Sequence, residues 1–343
     1  MWVELAVTVV KLLVVAVALL TAVPVMVWVE RRGAAFIQDR LGPNRVGPMG
    51  LLQPIFDAVK LLFKEDVTPA QANKGLYYLA PMISLGVALV TFVVIPFSAP
   101  VDLTVLGAPF HGLLVAPDLN VGVLYLLALS SMGVYGIVLA GWSSNNKYSL
   151  LGGLRSSAQM ISYELAMTMA VLGVLMATGS LRLDRVVAFQ SQHMWNVVPQ
   201  LVGCAVFMIA AFAETNRLPF DLAEAETELV AGYHVEYSSM KFAAFFMSEY
   251  INMVVISALA VTLFFGGWSF PGMTRFSGWT LLVLSAAAVA VKIALMCWLF
   301  VWVRWSLPRF RYDQLMQLGW KGLLPLATLN LVWVGVAMGL GWI

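Results

Sequence analysis

Eight stretches of this chain stay apolar for about twenty residues at a time, and few folds are open to a chain built that way. The windows run over 5–29, 77–97, 121–141, 159–178, 197–213, 243–266, 280–303 and 324–342. A helix of about 20 residues crosses the roughly 30 Å hydrocarbon layer of a bilayer. In lipid, a backbone must bond within its own helix or around a closed barrel. The runs here are continuous rather than alternating, which excludes barrel strands. The sequence therefore predicts an all-α polytopic membrane protein, a single integral domain over 1–343, with the fifth span the shortest. Only 11% of residues are charged and mean hydropathy is +0.87, against about 25% charged in soluble domains. The first apolar segment lacks a basic leader and is too long for a cleaved signal, so it reads as a retained helix.

The basic residues predict the topology. The segment between spans 1 and 2 holds Arg31, Arg32, Arg40, Arg45, Lys60, Lys64 and Lys74. The segments after spans 3 and 5 hold Lys147, Arg155, Arg217 and Lys241, and the one after span 7 holds Arg304, Arg309, Arg311 and Lys321. Fifteen of the 20 Lys and Arg thus fall on one side. The other side has only Arg182, Arg185 and Arg275 outside the spans. Positive-inside bias puts the loops 30–76, 142–158, 214–242 and 304–323 in the cytoplasm and both termini on the periplasmic side.

Two functional classes are poorly served by this composition. A net charge of +2 gives no basic field for nucleic acid. Cys204 and Cys297 cannot supply the four ligands of an iron–sulfur cluster, and no His/Cys spacing suggests zinc or haem. No metal site is expected, and any redox centre belongs to a partner.

Carboxylates stand where lipid should be. Glu164 lies within span 4 in QMISYELAMTMA, Glu214 closes span 5 in AAFAETNRLPFD, and Glu249 lies in span 6 in FFMSEYINMVV. A charge at mid-bilayer costs a few kcal/mol, so such residues usually face the protein interior and mark ion or proton paths. Lys292, in the middle of span 7, is the natural counter-charge. The plainer alternative is that these acids sit near helix ends and snorkel to the interface. Between Glu214 and Lys241 lie six acids, Glu214, Asp221, Glu224, Glu226, Glu228 and Glu236, against Arg217 and Lys241. Asp221, Glu224 and Glu228 share a face if the segment is helical, and Pro219 suits the start of such a helix. Crowded carboxylates exchange protons near neutral pH. The alternative is a solvated acidic face that docks a basic partner.

The loop after span 1 is patterned rather than merely connecting. Gly-Pro pairs at 42–43 and 47–48 stiffen it. LLQPIFDAVKLLFK has apolar residues near helical spacing, fit to lie flat in the membrane interface or to serve as an amphipathic connector. Trp28, Phe220 and Phe242 fit either an isoprenoid tail or interfacial anchoring. Arg31, Arg32, Arg40 and Arg45 suit bidentate contacts with carboxylates on a partner.

Four long segments carry a resemblance over the whole chain. They are ERRGAAFIQDRLGPNRVGPMGLLQPIFDAVKLLFKE at 30–65, GWSSNNKYSLLGGLRSSAQMISYEL at 141–165, RLPFDLAEAETELVAGYHVEYSSMKFAAFFMSEY at 217–250 and LPRFRYDQLMQLGWK at 307–321. Together they resemble the H subunit of bacterial NADH-quinone oxidoreductase (respiratory complex I), the mitochondrial subunit 1 family. The resemblance implies a multi-pass subunit of the bacterial inner membrane, in a proton-translocating complex and without a redox centre of its own. It implies a chamber for quinone, ubiquinone or menaquinone, walled by the cytoplasmic loops and by peripheral subunits that carry the iron–sulfur clusters and FMN. Neighbouring membrane-arm subunits and lipid are the other partners. The implied proton path is Glu164, Glu214, Asp221, Glu224, Glu226, Glu228, Glu236 and Glu249, with Lys292 added from its position. Arg31, Arg32, Phe56, Phe220 and Phe242 are the expected quinone contacts. Arg40, Arg45, Arg155, Arg217, Arg309 and Arg311 are the expected docking residues. One departure stands out: where some relatives carry a glutamate in span 3, this chain has Ser131. The rival readings are the matching subunit of a membrane-bound hydrogenase, a stand-alone ion transporter, and a passive structural anchor.

Overall fold

The computed structural model describes residues 2–105, 108–113, 119–223 and 230–342. Each apolar window carries a helix, as lipid requires of the backbone. The long ones are α1 (Trp2–Ile37), α3 (Lys74–Thr91), α4 (Gly122–Ser143), α5 (Lys147–Thr178), α8 (Ser239–Phe264), α9 (Gly278–Ser306) and α10 (Tyr312–Gly339). All seven are long and apolar enough to cross a membrane. Shorter helices are α2 (Gln53–Phe63), α6 (Leu183–Gln192) and α7 (Leu201–Glu214). In the basic-free loop 98–120, β1 (Asp102–Val105) pairs antiparallel with β2 (Ala108–His111), a hairpin that the apolar pattern did not announce.

Local chemistry moves two boundaries. The segment expected as a loop over 142–158 is mostly helix, because α5 starts at Lys147. Asn146 caps it, its side chain accepting from the Tyr148 N–H at 2.9 Å, and Gly179 ends it at φ 63°. Over the fifth window the helix begins only at Leu201, leaving 14 residues. At 1.5 Å per residue that is about 21 Å, short of the hydrocarbon layer.

The missing depth is made up by irregular backbone whose polar groups are met by buried amides. Gln190 donates to the Thr262 carbonyl at 2.8 Å and accepts from the N–H groups of Asn196 and Gly266 at 3.2 and 3.0 Å. Asn196 donates to the Leu263 carbonyl at 2.8 Å, and Gln200 to that of Gly173 at 3.3 Å. Non-helical backbone at membrane depth is tolerable only when enclosed and satisfied in this way.

α8 is the central post. Of its apolar window 72% is buried, against 22% for α9 at the periphery. Phe207, Phe264, Tyr163, Ile251 and Met253 form part of a continuous core around it. The four basic segments meet at one end of the bundle. Arg217 and Arg304 both bind Glu30, Lys241 binds Asp66 at 2.8 Å, Arg309 binds Asp221 at 2.8 Å, and Asn146 donates to Glu236 at 2.6 Å.

Candidate functional site

Two cavities lie on either side of a buried charge cluster at that end. The first is apolar, about 300 Å³, and opens between α1, α2 and α8. Val23, Pro24 and Val27 of α1 face Ile55, Ala58 and Leu61 of α2 and Ala243, Phe246 and Met247 of α8. Its one ion pair is Arg31 with Asp57, at the rim. α2 exists because its apolar positions recur at helical spacing behind Pro54. It leaves Phe63 87% exposed, a bare face suited to lipid.

The second cavity is small, about 40 Å³, and polar. Ser84, Ser130, Glu214, Asn216, Tyr233, Ser248, Glu249 and Asn252 line it among apolar neighbours. A water needs roughly 10–15 Å³ of such space, so the cavity holds a few. Glu214 is 7% exposed, shares the cavity wall with Ser130, and feels the charge of Glu164. Ser131 donates to Glu164 Oε1, so at this position a hydroxyl partners the carboxylate. Tyr233 donates to Glu249 Oε1 at 3.1 Å.

Between the cavities sits a cluster centred on Glu30. Its Oε2 accepts from Tyr250 at 2.7 Å and from Arg217 Nη1 at 3.3 Å, while its Oε1 meets Arg304 Nη1. The Arg217 guanidinium lies over the Tyr250 ring, 4.3 Å from its centroid. Burial opposes its charge, but Tyr250, Glu30 and Glu249 outweigh that and raise its pKa, so it stays a cation. Arg217 thus feels the charge of two acids, its partner Glu30 and the Glu249 that lines the polar cavity. Its Nε and Nη2 are buried and meet no acceptor among the described residues.

The expected site residues divide. Glu164, Glu214 and Glu249 come together around or beside the polar cavity. Lys292 does not join them: its ammonium donates to the carbonyls of Phe265, Gly267 and Ser269 at 2.9, 2.9 and 2.7 Å and stands 4.8 Å from the Trp195 ring centroid. It caps the end of α8, which no pattern of side chains reveals. Asp221 is buried beside Arg309, and residues 217–223 are turn and bend; the rest of the helix expected behind Pro219 lies outside the described residues. Glu224, Glu226 and Glu228 lie outside the described residues. Glu236 braces two loops, taking Asn146 on its carboxylate and Tyr77 on its carbonyl at 2.6 Å. The nearby Tyr237 stacks on Tyr77 with centroids 4.2 Å apart, and burial pushes its phenol up to about 12, so it is a fixed donor at neutral pH.

Of the expected quinone contacts, Arg31 lines the portal. Phe56 is exposed and absent from its wall. Phe220 is buried between Tyr163 and Phe310, 5.4 Å from each, and belongs to the core. Phe242 stacks against Phe246, which does line the portal. Arg32 points away from it, lying over Trp28 and donating to the Met49 carbonyl at 3.1 Å.

Among the expected docking residues, Arg217 and Arg309 are engaged within the chain, on Glu30 and Asp221. Arg155 lies over Tyr312 at 5.5 Å, Arg311 pairs with Asp313 at 3.3 Å, Arg40 donates to Gln38 at 2.8 Å, and Arg45 is exposed. Sequence reading missed Glu30, Tyr233, Tyr250 and Arg304. An acid between an apolar run and two arginines was the available signal for Glu30.

No trio of His, Cys, Asp or Glu is placed to hold a metal among the described residues. Both cysteines are buried free thiols.

Comparison with known proteins fits this architecture. The NADH dehydrogenase family matches residues 10–335. The H subunit of the Salinibacter ruber NADH-quinone oxidoreductase is 49% identical over 333 residues, covering 94% of this chain and 93% of its own. Subunit 8 of the Rhodothermus marinus enzyme is 50% identical over 340 residues, covering 96% of both chains. The H subunit of the Deinococcus deserti enzyme is 52% identical over 326 residues, covering 95% of this chain and 82% of its own. The chain belongs to the family of NADH-quinone oxidoreductase H subunits.

Proposed function

We propose that this membrane subunit admits quinone sideways from the bilayer between α1, α2 and α8 and turns its reduction into proton movement through the buried acids. Reduction of quinone to quinol takes two electrons and two protons. The electrons come from iron–sulfur centres in peripheral partners docked on the basic end, which the positive-inside bias puts in the cytoplasm of a bacterial cell. The tail lies against Val23, Ile55, Ala58, Leu61, Ala243 and Met247, and the headgroup passes the Arg31–Asp57 rim.

Negative charge developing on the reduced headgroup draws on the nearest mobile charge balance, the Glu30–Arg217–Arg304 cluster. Moving the Arg217 cation towards Glu30 withdraws it from Glu249, which then gains a proton through Tyr233 and the waters of the polar cavity. Glu214 and Glu164, with Ser130 and Ser131, pass the change across the bundle. Asp221, Glu224, Glu226 and Glu228 form the cytoplasmic approach to the route.

The observation that carries this reading is the buried ion pair of Arg217 with Glu30, within electrostatic reach of the Glu249 that lines the polar cavity. The test is Glu164→Gln or Glu249→Gln in the assembled complex, with proton uptake and NADH oxidation followed together in inverted vesicles. Fewer protons per electron with intact assembly supports the proposal. An unchanged ratio refutes it.

A further inference from the structure

The two arginines at the end of α1 divide their labour. Arg31 lines the quinone portal, while Arg32, about 100° further round the helix, lines a separate groove of about 510 Å³ on the opposite flank. This second groove lies between the ends of α1 and α9, and the returning chain at Arg40–Gly42 forms part of its wall.

Two glycines shape it. A Cβ on Gly33 would stand 2.9 Å from Val301 Cγ1 and 3.0 Å from Trp298 Cζ3, so the bare backbone lets the Trp298 indole lie close to α1. A Cβ on Gly42 would stand 3.3 Å from that of Ala35, and its lack lets the loop fold down onto the helix. The floor and sides are apolar: Trp28, Val29, Phe36, Leu41 and the Trp298 ring. Among the described residues the only charged groups on the wall are Arg32 and Arg40; Asp39, next to Arg40, is not on it.

We infer that this groove binds an anionic phospholipid, its phosphate between Arg32 and Arg40 and its glycerol and upper chains along Trp28 and Trp298. Three observations favour lipid. Tryptophans mark the depth at which headgroups meet hydrocarbon, and Trp302, one turn beyond Trp298, is 56% exposed on the same helix. Phe36 and Leu41 are more than four-fifths exposed beside the arginines, a bare apolar rim that acyl chains satisfy. The guanidinium of Arg32 is already oriented, over the Trp28 ring and bonded to the Met49 carbonyl, so little ordering remains to be done on binding. This assigns Arg40 to the membrane and not to protein docking.

The whole complex, reconstituted in phosphatidylcholine with a few per cent of a photoactivatable phosphatidylglycerol, tests the inference. After irradiation, peptide mass spectrometry is expected to find adducts at 28–42 and around Trp298. Excess unlabelled phosphatidylglycerol removes them and excess phosphatidylcholine does not, a comparison that needs no variant. One basic residue near an anionic surface is worth about fivefold in binding, so Arg40→Glu should lower the adduct yield about fivefold or more. Arg40→Lys should restore most of it, with labelling at Trp333 unchanged as the control. Equal labelling by a phosphatidylcholine probe, indifference to Arg40→Glu, or a groove that yields only cross-links to another protein subunit overturns it.

Discussion

Arg217, 4% exposed, is paired with Glu30 from a distant part of the chain and lies within reach of the charge of Glu249, and the proposed coupling turns on it. Arg217→Leu removes one of two cations from buried Glu30. Breaking a buried pair costs about 3–5 kcal/mol, and Arg304 offsets part of it. The expected outcome is reduced incorporation of the subunit and a lower melting temperature of the membrane arm, measured on purified complex. Restoring assembly with Glu30→Gln in the same chain would show that the cost is electrostatic. Tyr233→Phe is milder: it deletes one hydrogen bond to the Glu249 carboxylate, worth about 1.5–3 kcal/mol. The complex should still assemble, with a modestly lower melting temperature, while the proton-coupled rate falls about tenfold or more, which turnover measured with a short-chain quinone would show. The acids themselves were legible, because Glu164, Glu214 and Glu249 interrupt apolar runs. Their partners were not. Ser130 and Tyr233 are ordinary residues in sequence, Ser131 stood out only as the place of a glutamate in some relatives, and Glu30 falls within a loop because a linear reading assigns charge to segments, not to contacts. Lys292 misled for the same reason: its partners are three backbone carbonyls.

Helices were the most legible elements, since hydrocarbon thickness fixes the length of an apolar run. The exceptions have physical causes. α5 runs back to Lys147 because its first turns pack on the neighbouring loops, where Gly152 lies against Gly232 so tightly that a Cβ would meet its Cα at 2.7 Å. α7 is short because a polar connector completes its crossing, and buried amides leave no trace in a hydropathy profile. Gln190→Leu should therefore destabilise far from any charge. It strands at least one of the groups that Gln190 serves, at about 1–3 kcal/mol, read as lost thermal stability with normal coupling in the complex that does assemble. α2 and α8 make the opposite point, since their apolar faces are built to leave space between them. Ala243→Trp should fill much of the 300 Å³ portal and raise the apparent KM for long-tailed quinone more than for a short-tailed analogue. An equal effect on both would mean that the tail does not pass there.

At the scale of the whole molecule, one end of the bundle is tied together by ion pairs between distant segments, and the other by buried amides and the Lys292 ammonium on backbone carbonyls. Four segments far apart in sequence converge on Glu30, Asp66, Asp221 and Glu236. In the proposed function, substrate chemistry in the apolar cavity and the buried acids communicate through this ion cluster, with Arg217 as the link. Cysteines introduced at Asn145 and at Met273 should be labelled from opposite faces of sealed vesicles, the first from the cytoplasmic side; labelling of both from one side would reverse the topology. If the cluster couples the two, carboxyl groups inside the bundle must change protonation when quinone is reduced outside it. Reduced-minus-oxidised infrared difference spectroscopy of the intact complex reads this change itself. A carboxyl C=O band should appear on quinone reduction, shift in D2O and be lost in Glu249→Gln. A difference spectrum with no carboxyl band, or one that Glu214→Gln, Glu249→Gln and Glu164→Gln all leave intact, would contradict the coupling.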